Sequence, residues 1–413
     1  MDQASRAVRI AALEMARPLV SGHVVLLTGN AATSRGMKDF FADADAGAAA
    51  IHRVELPEAA GTLASRLAAA EQLLADPSEA LVRKVDELDH DGRGLVYAGS
   101  YTAVRSFCGR RVLGSRLESQ FAAERKHVQY RLLGLATSDR RLLRIEDHTD
   151  IREAIIAQVT RGPTVVQGVP RGLLAIGASH TYLLPEDASP IRIGQLLASI
   201  AEDCADLIVG PLHAGLPCTY YGFLTSDHVV DFGPFEALVY WDRRSWRLHA
   251  PGVIRPVRLG GQEAACRSAV RAAARQVQQR IDYVGAFGAD GAVSTTAYSV
   301  HEINPRICAG FALLDSICEN LIPLAAVDLV VREKRPSKSH PLMVRLEQLA
   351  TALRRIQTPL IRLWDGRHSS IQETLTASAV RASDPAAWLS IARSCLADKN
   401  FVSITQFNPV GGY

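Results

Sequence analysis

"VHEINPRICAGF", residues 300–311, decides how this chain reads. Glu302 and Asn304 stand two apart behind Val300, and Pro305, Arg306 and a glycine turn follow at once. On a strand, residues two apart share a face, so this spacing sets a carboxylate beside an amide oxygen with a guanidinium just beyond. Twelve residues before Glu302, Asp290 lies on another strand-like segment, "GAFGADGAV" (285–293). If the two strands pair, three hard oxygen donors meet on one patch. Magnesium prefers such donors and usually shares them with phosphate oxygens, so Asp290, Glu302 and Asn304 are the candidate ligands of a nucleotide-bound Mg2+. The fixed fork of Arg306 would then suit an anionic oxygen group near the terminal phosphate.

Working back from this pair, "GQEAACRSAVRAAARQVQQRIDYV" (261–284) puts Val270, Ala273, Ala274, Val277 and Ile281 on one stripe, the pattern of an amphipathic helix. Before it, "TYYGFL", "HVVDFG", "ALVYW" and "WRLHA" alternate with turn residues and predict an antiparallel sheet. "DLIVGPLHAG" (206–215) runs a strand into a break at Gly210 and Pro211, which reads as a hinge between lobes. In "GPTVVQGVPRGLLAIGASHTYLL" (162–184), two β-rich pieces flank a loop holding Gly168, Gly172 and Gly177, a hairpin over a small cleft. "ESQFAAERKHVQYRLLGL" (118–135) reads as one long helix. The opening 115 residues alternate helix and strand signals: "HVVLLTG" (23–29) and "GLVYAGS" (94–100) as strands, with "EALVRKVDEL" (79–88) as a helix behind its "DPS" start signal. Residues 29–36, "GNAATSRG", read as a loop that lacks both common glycine-rich phosphate signatures.

Composition bounds the function. With 413 residues, 48% of them hydrophobic and a mean hydropathy of +0.05, the chain can bury a large core, and its length implies more than one lobe. A net charge of +3 without any long basic run argues against nucleic acid as the main partner. No signal-like h-region and no membrane-length apolar run is present, so a cytoplasmic protein without a membrane partner is expected. The seven cysteines stand singly, with no C-x-x-C, and read as buried thiols. His301 points opposite to Glu302 on its strand and reads as a packed histidine; His180 and His213 could touch substrate, but no spacing suggests zinc. No G-x-S-x-G elbow supports a hydrolase.

A helix, then "GAFGAD", then a strand ending "EINPR", resembles the ATP-grasp superfamily of carboxylate-amine ligases, and the resemblance spans about residues 120–310. It implies an α/β fold with a pre-ATP-grasp domain at 1–115, a small lobe at 116–210, a large lobe with the Mg-ATP site at 211–335, and a mostly helical segment at 336–413. In that frame Asp290, Glu302 and Asn304 correspond to the metal-binding acid, acid and amide, and Arg306 to a phosphate or intermediate contact. Lys126 looks like the first nucleotide-binding lysine. Gln167 stands where a second lysine is commonest, and Arg171 is offered as a replacement for its charge. Gly172 and Gly177 would belong to the loop over the phosphates, and Val209 and Leu212 to the hinge whose main chain reads adenine.

The implied reaction uses ATP and Mg2+ to join a carboxylate to an amine through an acyl phosphate, with Lys126 and Arg306 as catalytic residues. Amino acids or short peptides would be the substrates. The layout is similar to the peptide ligases of secondary metabolism, the pheganomycin type, which points toward antibiotic-like products. Acyl transfer to a carrier-protein thiol, or nucleotide or peptide binding without turnover, are the alternatives, and a homodimer is expected from the superfamily.

Overall fold

A computed structural model describes residues 1–28, 31–44, 50–56, 63–99, 101–133, 140–146, 148–171, 180–213, 215–255, 257, 259–294, 298–318, 321–356, 360–363 and 401–403. Three sheets organise them. The first contains β1 (Val25–Thr28), β2 (Ile51–Val54), β3 (Leu95–Tyr97), β4 (Ser106–Phe107) and β5 (Arg110–Leu113) in the order β2-β1-β3-β5-β4. All pairs are parallel except β4 with β5. Every residue of β1 is buried, which is why its sequence is continuously apolar rather than alternating. The expected helix forms as Glu79–Leu88, where the Ser78 hydroxyl accepts from the Leu81 N–H at 3.4 Å. The expected loop at 29–36 is shorter than read, because the helix Ala31–Ala44 already begins inside it.

The second sheet is antiparallel, with β6 (Arg141–Arg144), β7 (Thr164–Pro170), β8 (Thr181–Leu184) and β9 (Cys204–Pro211) in the order β6-β9-β7-β8. The helices His148–Val159 and Pro190–Asp203 supply Ile151, Ile155, Ile193, Leu197 and Ile200 to the same core as Val166, Leu183 and Leu207 of the strands. The long helix expected at 118–135 is instead two short ones, Glu118–Ala122 and Lys126–Leu132. The Ala123 carbonyl, which an unbroken helix would give to the main chain four residues on, accepts from the side-chain amide of Gln129.

The third sheet holds β10 (Leu216–Leu224), β11 (Val229–Asp242), β12 (Leu248–Arg255), β13 (Gly285–Val293), β14 (Tyr298–Asn304), β15 (Leu360–Leu363) and β16 (Phe401–Ser403). Its order is β14-β13-β10-β11-β12-β15, with β16 also on β11. "HVVDFG" and "ALVYW" form one strand, β11, because Gly233 at φ 89° carries the chain through instead of ending it. On one face the helix Glu263–Ile281 buries Val270, Ala274, Val277 and Ile281, with Ala273 partly covered. The other face is packed by the helices Phe311–Ile317, Leu324–Lys334 and Pro341–Arg354. That core is continuous with the first helix, Asp2–Val20, and with Val25, Phe40 and Tyr97 of the N-terminal lobe. The helix Pro341–Arg354, within the segment 336–413, is thus part of a core shared with the N-terminal lobe. The β11–β12 hairpin reaches the other way: Trp241, Trp246 and Leu248 pack inside the small-sheet core, and the Leu183 N–H donates to the Trp246 carbonyl at 2.8 Å.

Among the described residues no helix is long and apolar enough to cross a membrane. Six cysteines are described, all as free thiols, and Cys204, Cys218, Cys266 and Cys318 are buried; Cys395 lies outside the described residues. Glu236, on β11, has its pKa pushed up to about 7 by burial alone. Its unfolded value is near 4.5, so the folded state loses relative stability as pH rises from that value toward 7 and carries the full penalty above it. Glu236→Gln is therefore expected to stabilise the fold by ~1–2 kcal/mol at pH 8 and to leave it unchanged at pH 4, as read by urea unfolding. Equal effects at both pH values would exclude a buried, unpaired carboxyl.

Candidate active site

Asp290 and Glu302 are direct cross-strand partners in the β13–β14 ladder, and a bulge follows between Asp290 and Gly291. Glycine is required there: a Cβ on Gly291 would stand 2.3 Å from the Ser299 carbonyl. Asn304 donates through Nδ2 to Asp290 Oδ2 at 3.0 Å. Thr219 of β10 faces Asp290 from the other side of β13. The structure thus brings together the acid, acid and amide that the sequence placed on adjacent strands.

Both carboxyls are electrostatically strained. Loss of hydration is the strongest influence on each and raises both pKa values, and the neighbouring Asp290 charge raises Glu302 further. By surface area, however, Asp290 is exposed and Glu302 half-buried, so the rise is modest at Asp290 and firmer at Glu302. Lys126 and Arg306 pull in the opposite direction on both. The donor set fits a hard cation: two carboxylates and an amide, with any further ligands left to phosphate or water oxygens, is how Mg2+ is ordinarily held. Among the described residues no cluster of three His, Cys, Asp or Glu forms an all-protein metal cage. Mg2+ binding should therefore weaken as pH falls, starting above the ordinary carboxylate range near ~4, because protons compete for carboxyls whose pKa values are raised. Calorimetry in two buffers of different ionisation enthalpy at pH 5.5 should show proton release on Mg2+ binding; none would contradict the raised values.

Lys126, only 8% exposed, opens its short helix and lines a cleft between the small sheet and β14, together with Gln129, Tyr130, Arg140, Gln167, Ile208, His301 and Glu302. Gln129, one turn beyond Lys126, holds this helix to β14: its amide donates to the Ile303 carbonyl at 2.5 Å and its carbonyl accepts from the Ile303 N–H at 3.2 Å. Ile303 lies between Glu302 and Asn304, so Gln129 fixes the segment carrying both. Only its i+3 spacing from Lys126 is legible in the sequence.

Arg306 is buried and committed. Its Nε donates to Glu124 Oε2 at 2.7 Å and its Nη2 to Asn304 Oδ1 at 3.3 Å. The other Glu124 oxygen pairs with Arg116, which is fully buried and also donates to the Pro305 carbonyl at 3.3 Å. These bonds run without a gap from Arg116 through Glu124, Arg306 and Asn304 to Asp290. The two arginines hold the Glu124 carboxyl below its ordinary pKa despite the opposing, larger effect of desolvation.

The remaining expected residues are spread unevenly. Gln167 lines the cleft, paired in register with Thr181. Arg171 is exposed and donates to the Glu202 carbonyl at 3.0 Å, and it does not line the cleft. On β9 the strand pleat turns Ile208 into the cleft and Val209 into the small-sheet core. The Leu212 N–H already donates to the Pro163 carbonyl at 2.8 Å. Gly172 and Gly177, with the rest of the loop 172–179, lie outside the described residues. His301, expected on the face opposite Glu302, lines the same cleft, because the bulge in β13–β14 leaves it out of the pairing register; it packs edge-on against His213, ring centroids 5.1 Å apart, and burial pushes its pKa well down, which favours the neutral ring.

No family model matches the sequence, and no curated protein does. Solved structures do. N5-carboxyaminoimidazole synthase from Aspergillus clavatus, bound to ADP and 5-aminoimidazole ribonucleotide, superposes with a TM-score of 0.50 at 14% identity, over 85% of this chain and 86% of that one. An L-amino acid ligase from Bacillus licheniformis gives 0.49 at 11% identity over 78% and 76% of the two chains. D-alanine–D-alanine ligase from Bacillus anthracis gives 0.46 at 13% identity over 80% and 100%.

Proposed function

We propose that this chain, whose fold is that of the ATP-grasp ligases, is an enzyme that uses ATP to activate a carboxylate and joins it to an amine. The observation that carries this reading is the Asp290–Glu302 cross-strand pair tied to Asn304, with Lys126 electrostatically coupled to both acids. Asp290, Glu302 and Asn304 would hold Mg2+ against the phosphates of ATP, and the ion would supply the charge neutralisation that phosphoryl transfer needs. Lys126 would bind the phosphate chain from the small-lobe side. Arg306, already held by Glu124, would present the Nη2 edge of its fork beside Asn304 to the substrate oxygens.

The chemistry asked of the protein is modest. A substrate carboxylate attacks the γ-phosphate, ADP leaves, and the resulting acyl phosphate loses phosphate to an attacking amine. The side chains bring two anions together and shield their repulsion, which is worth more in a cleft than in water. Amino acids or short peptides are the substrates we assign, in keeping with the likeness to peptide ligases of secondary metabolism. The donor set suits an oxygen-ligated divalent cation and not zinc or a redox metal.

The test is ADP and phosphate release from Mg-ATP in the presence of pooled amino acids and short peptides, with mass spectrometry of the products. A condensed product one water lighter than its two parts is expected. ADP release with a thioester on an added carrier protein would replace the amine by a thiol. ATP binding without turnover on any acceptor would reduce the protein to a binding module.

A further inference from the structure

The lobe built on the first sheet has so far contributed no side chain to the site, yet one of its residues reaches Arg306. Tyr101 follows β3, and its hydroxyl donates to the Ile307 carbonyl at 3.0 Å across 206 positions of sequence. The same oxygen accepts from Arg306 Nη1 at 3.4 Å, and the ring lies against the guanidinium, with its centroid 5.4 Å from Cζ. The segment that carries Tyr101 is itself held. The buried Thr102 accepts at its carbonyl from the Arg116 N–H at 2.9 Å. The Ala103 N–H donates to Glu71 Oε1 at 2.8 Å, and the Val104 N–H to Thr102 Oγ1 at 3.0 Å.

What this contact adds depends on how Arg306 is otherwise gripped. Its Nε is taken by Glu124 and its Nη2 by Asn304. Besides the hydroxyl, Nη1 meets the Ile307 carbonyl at 3.4 Å and the Cys308 sulfur at 3.6 Å. Those two groups belong to the residues that follow Arg306 and shift with it, whereas Tyr101 is borne by another lobe. A planar guanidinium gripped at Nε and Nη2 alone can still tilt about the line joining them. An acceptor at Nη1 and a ring against the face oppose that tilt. We infer that Tyr101 is a positioning residue for the proposed ligase reaction: it sets the plane of Arg306 so that the Nη2 edge beside Asn304 stays aimed at the reacting oxygens. Loss of aim is felt where charge develops during transfer and not in the binding of ATP, which Lys126 and the metal ligands carry in that reading. The inference rests on the function proposed above.

The experiment compares the full chain with Tyr101→Phe, which keeps the ring and removes the hydroxyl, and with Tyr101→Leu, which removes both. ADP release with the amino-acid and peptide pool gives kcat and the KM for ATP, and urea unfolding gives stability. NMR of 15N-arginine-labelled protein, with the Arg306 signals identified by their loss in Arg306→Lys, gives the rotation rate of the Arg306 Nη groups. Tyr101→Phe is expected to lower kcat about tenfold, to leave the KM for ATP within about twofold, and to speed the Nη rotation about tenfold; Tyr101→Leu should lose more kcat. A kcat within about twofold, even with stability lost, makes Tyr101 a staple between lobes and overturns the inference. A loss that falls on KM, or an Nη rotation that is unchanged or already fast in the unaltered chain, overturns it as well. If the unaltered chain forms no product, the proposed function falls and the rotation rate alone decides: faster rotation in Tyr101→Phe sustains the hold on Arg306, and an unchanged rate ends it.

Discussion

Glu302→Gln is expected to lower ATP-dependent product formation by about a thousandfold or more while the protein stays folded. The replacement keeps the shape of a side chain on a strand fixed at Ile303 by Gln129, so no packing is lost. It removes one of the two negative charges available to a cation, and it converts an oxygen donor into an amide that can turn its nitrogen toward the metal. Asp290→Asn should do the same, and the double variant should be little worse than either, because the two acids act on one ion. Stability moves the other way: each substitution relieves a carboxyl whose pKa is raised by desolvation, so thermal unfolding at pH 8 should be unchanged or higher. A folded Glu302→Gln protein with near-normal turnover would remove the assignment of this pair as the metal site.

Glu124→Ala should have the largest effect on stability, about 3–5 kcal/mol in urea unfolding. Glu124 is 3% exposed and its two oxygens serve two arginines, one fully buried and one nearly so. Removing it leaves two positive charges together in a buried region where, among the described residues, Arg116 Nε and Nη2 have no hydrogen-bond partner and the guanidinium lies over the Phe121 ring. Breaking such a pair by deleting one side is far more damaging than replacing the whole set by apolar residues. A loss below about 1 kcal/mol would mean that solvent enters the network and that the arginines are not truly buried.

The positions of the acids were legible because strand periodicity is local. Glu302 and Asn304 two apart, and Asp290 twelve before, require only one hairpin to meet, and that hairpin forms. The same locality explains the helix Glu263–Ile281 and the small-sheet hairpin. Residues that complete the cleft come from far away in the chain. Gln129 reaches Ile303 across 174 positions and Glu124 reaches Arg306 across 182, and no pattern in a short window encodes either bond. Glu124 lies in the break of the helix that the local pattern predicts at 118–135 and Gln129 in the turn after it, and both are held by partners distant in sequence. The choice of Ile208 over Val209 as the cleft-facing residue depends on one step of strand phase, which the sequence "LIVG" leaves open because all its neighbours are apolar.

The β11–β12 hairpin, whose tip is lodged in the small-sheet core, bears on how the two lobes can move. The chain enters the small sheet from the Lys126 helix, which Gln129 ties to β14, and leaves it by the passage from β9 to β10. Both of these straps follow the run of the chain. The hairpin tip at Trp246 adds an anchorage of another kind, made by packing against residues distant in sequence. Displacing the small sheet has to bend the fourteen-residue strand β11 or pull tryptophans from their packing. The hairpin thus works as a clip across two straps, and the part of the lobe that carries Gln167 moves only by flexing it.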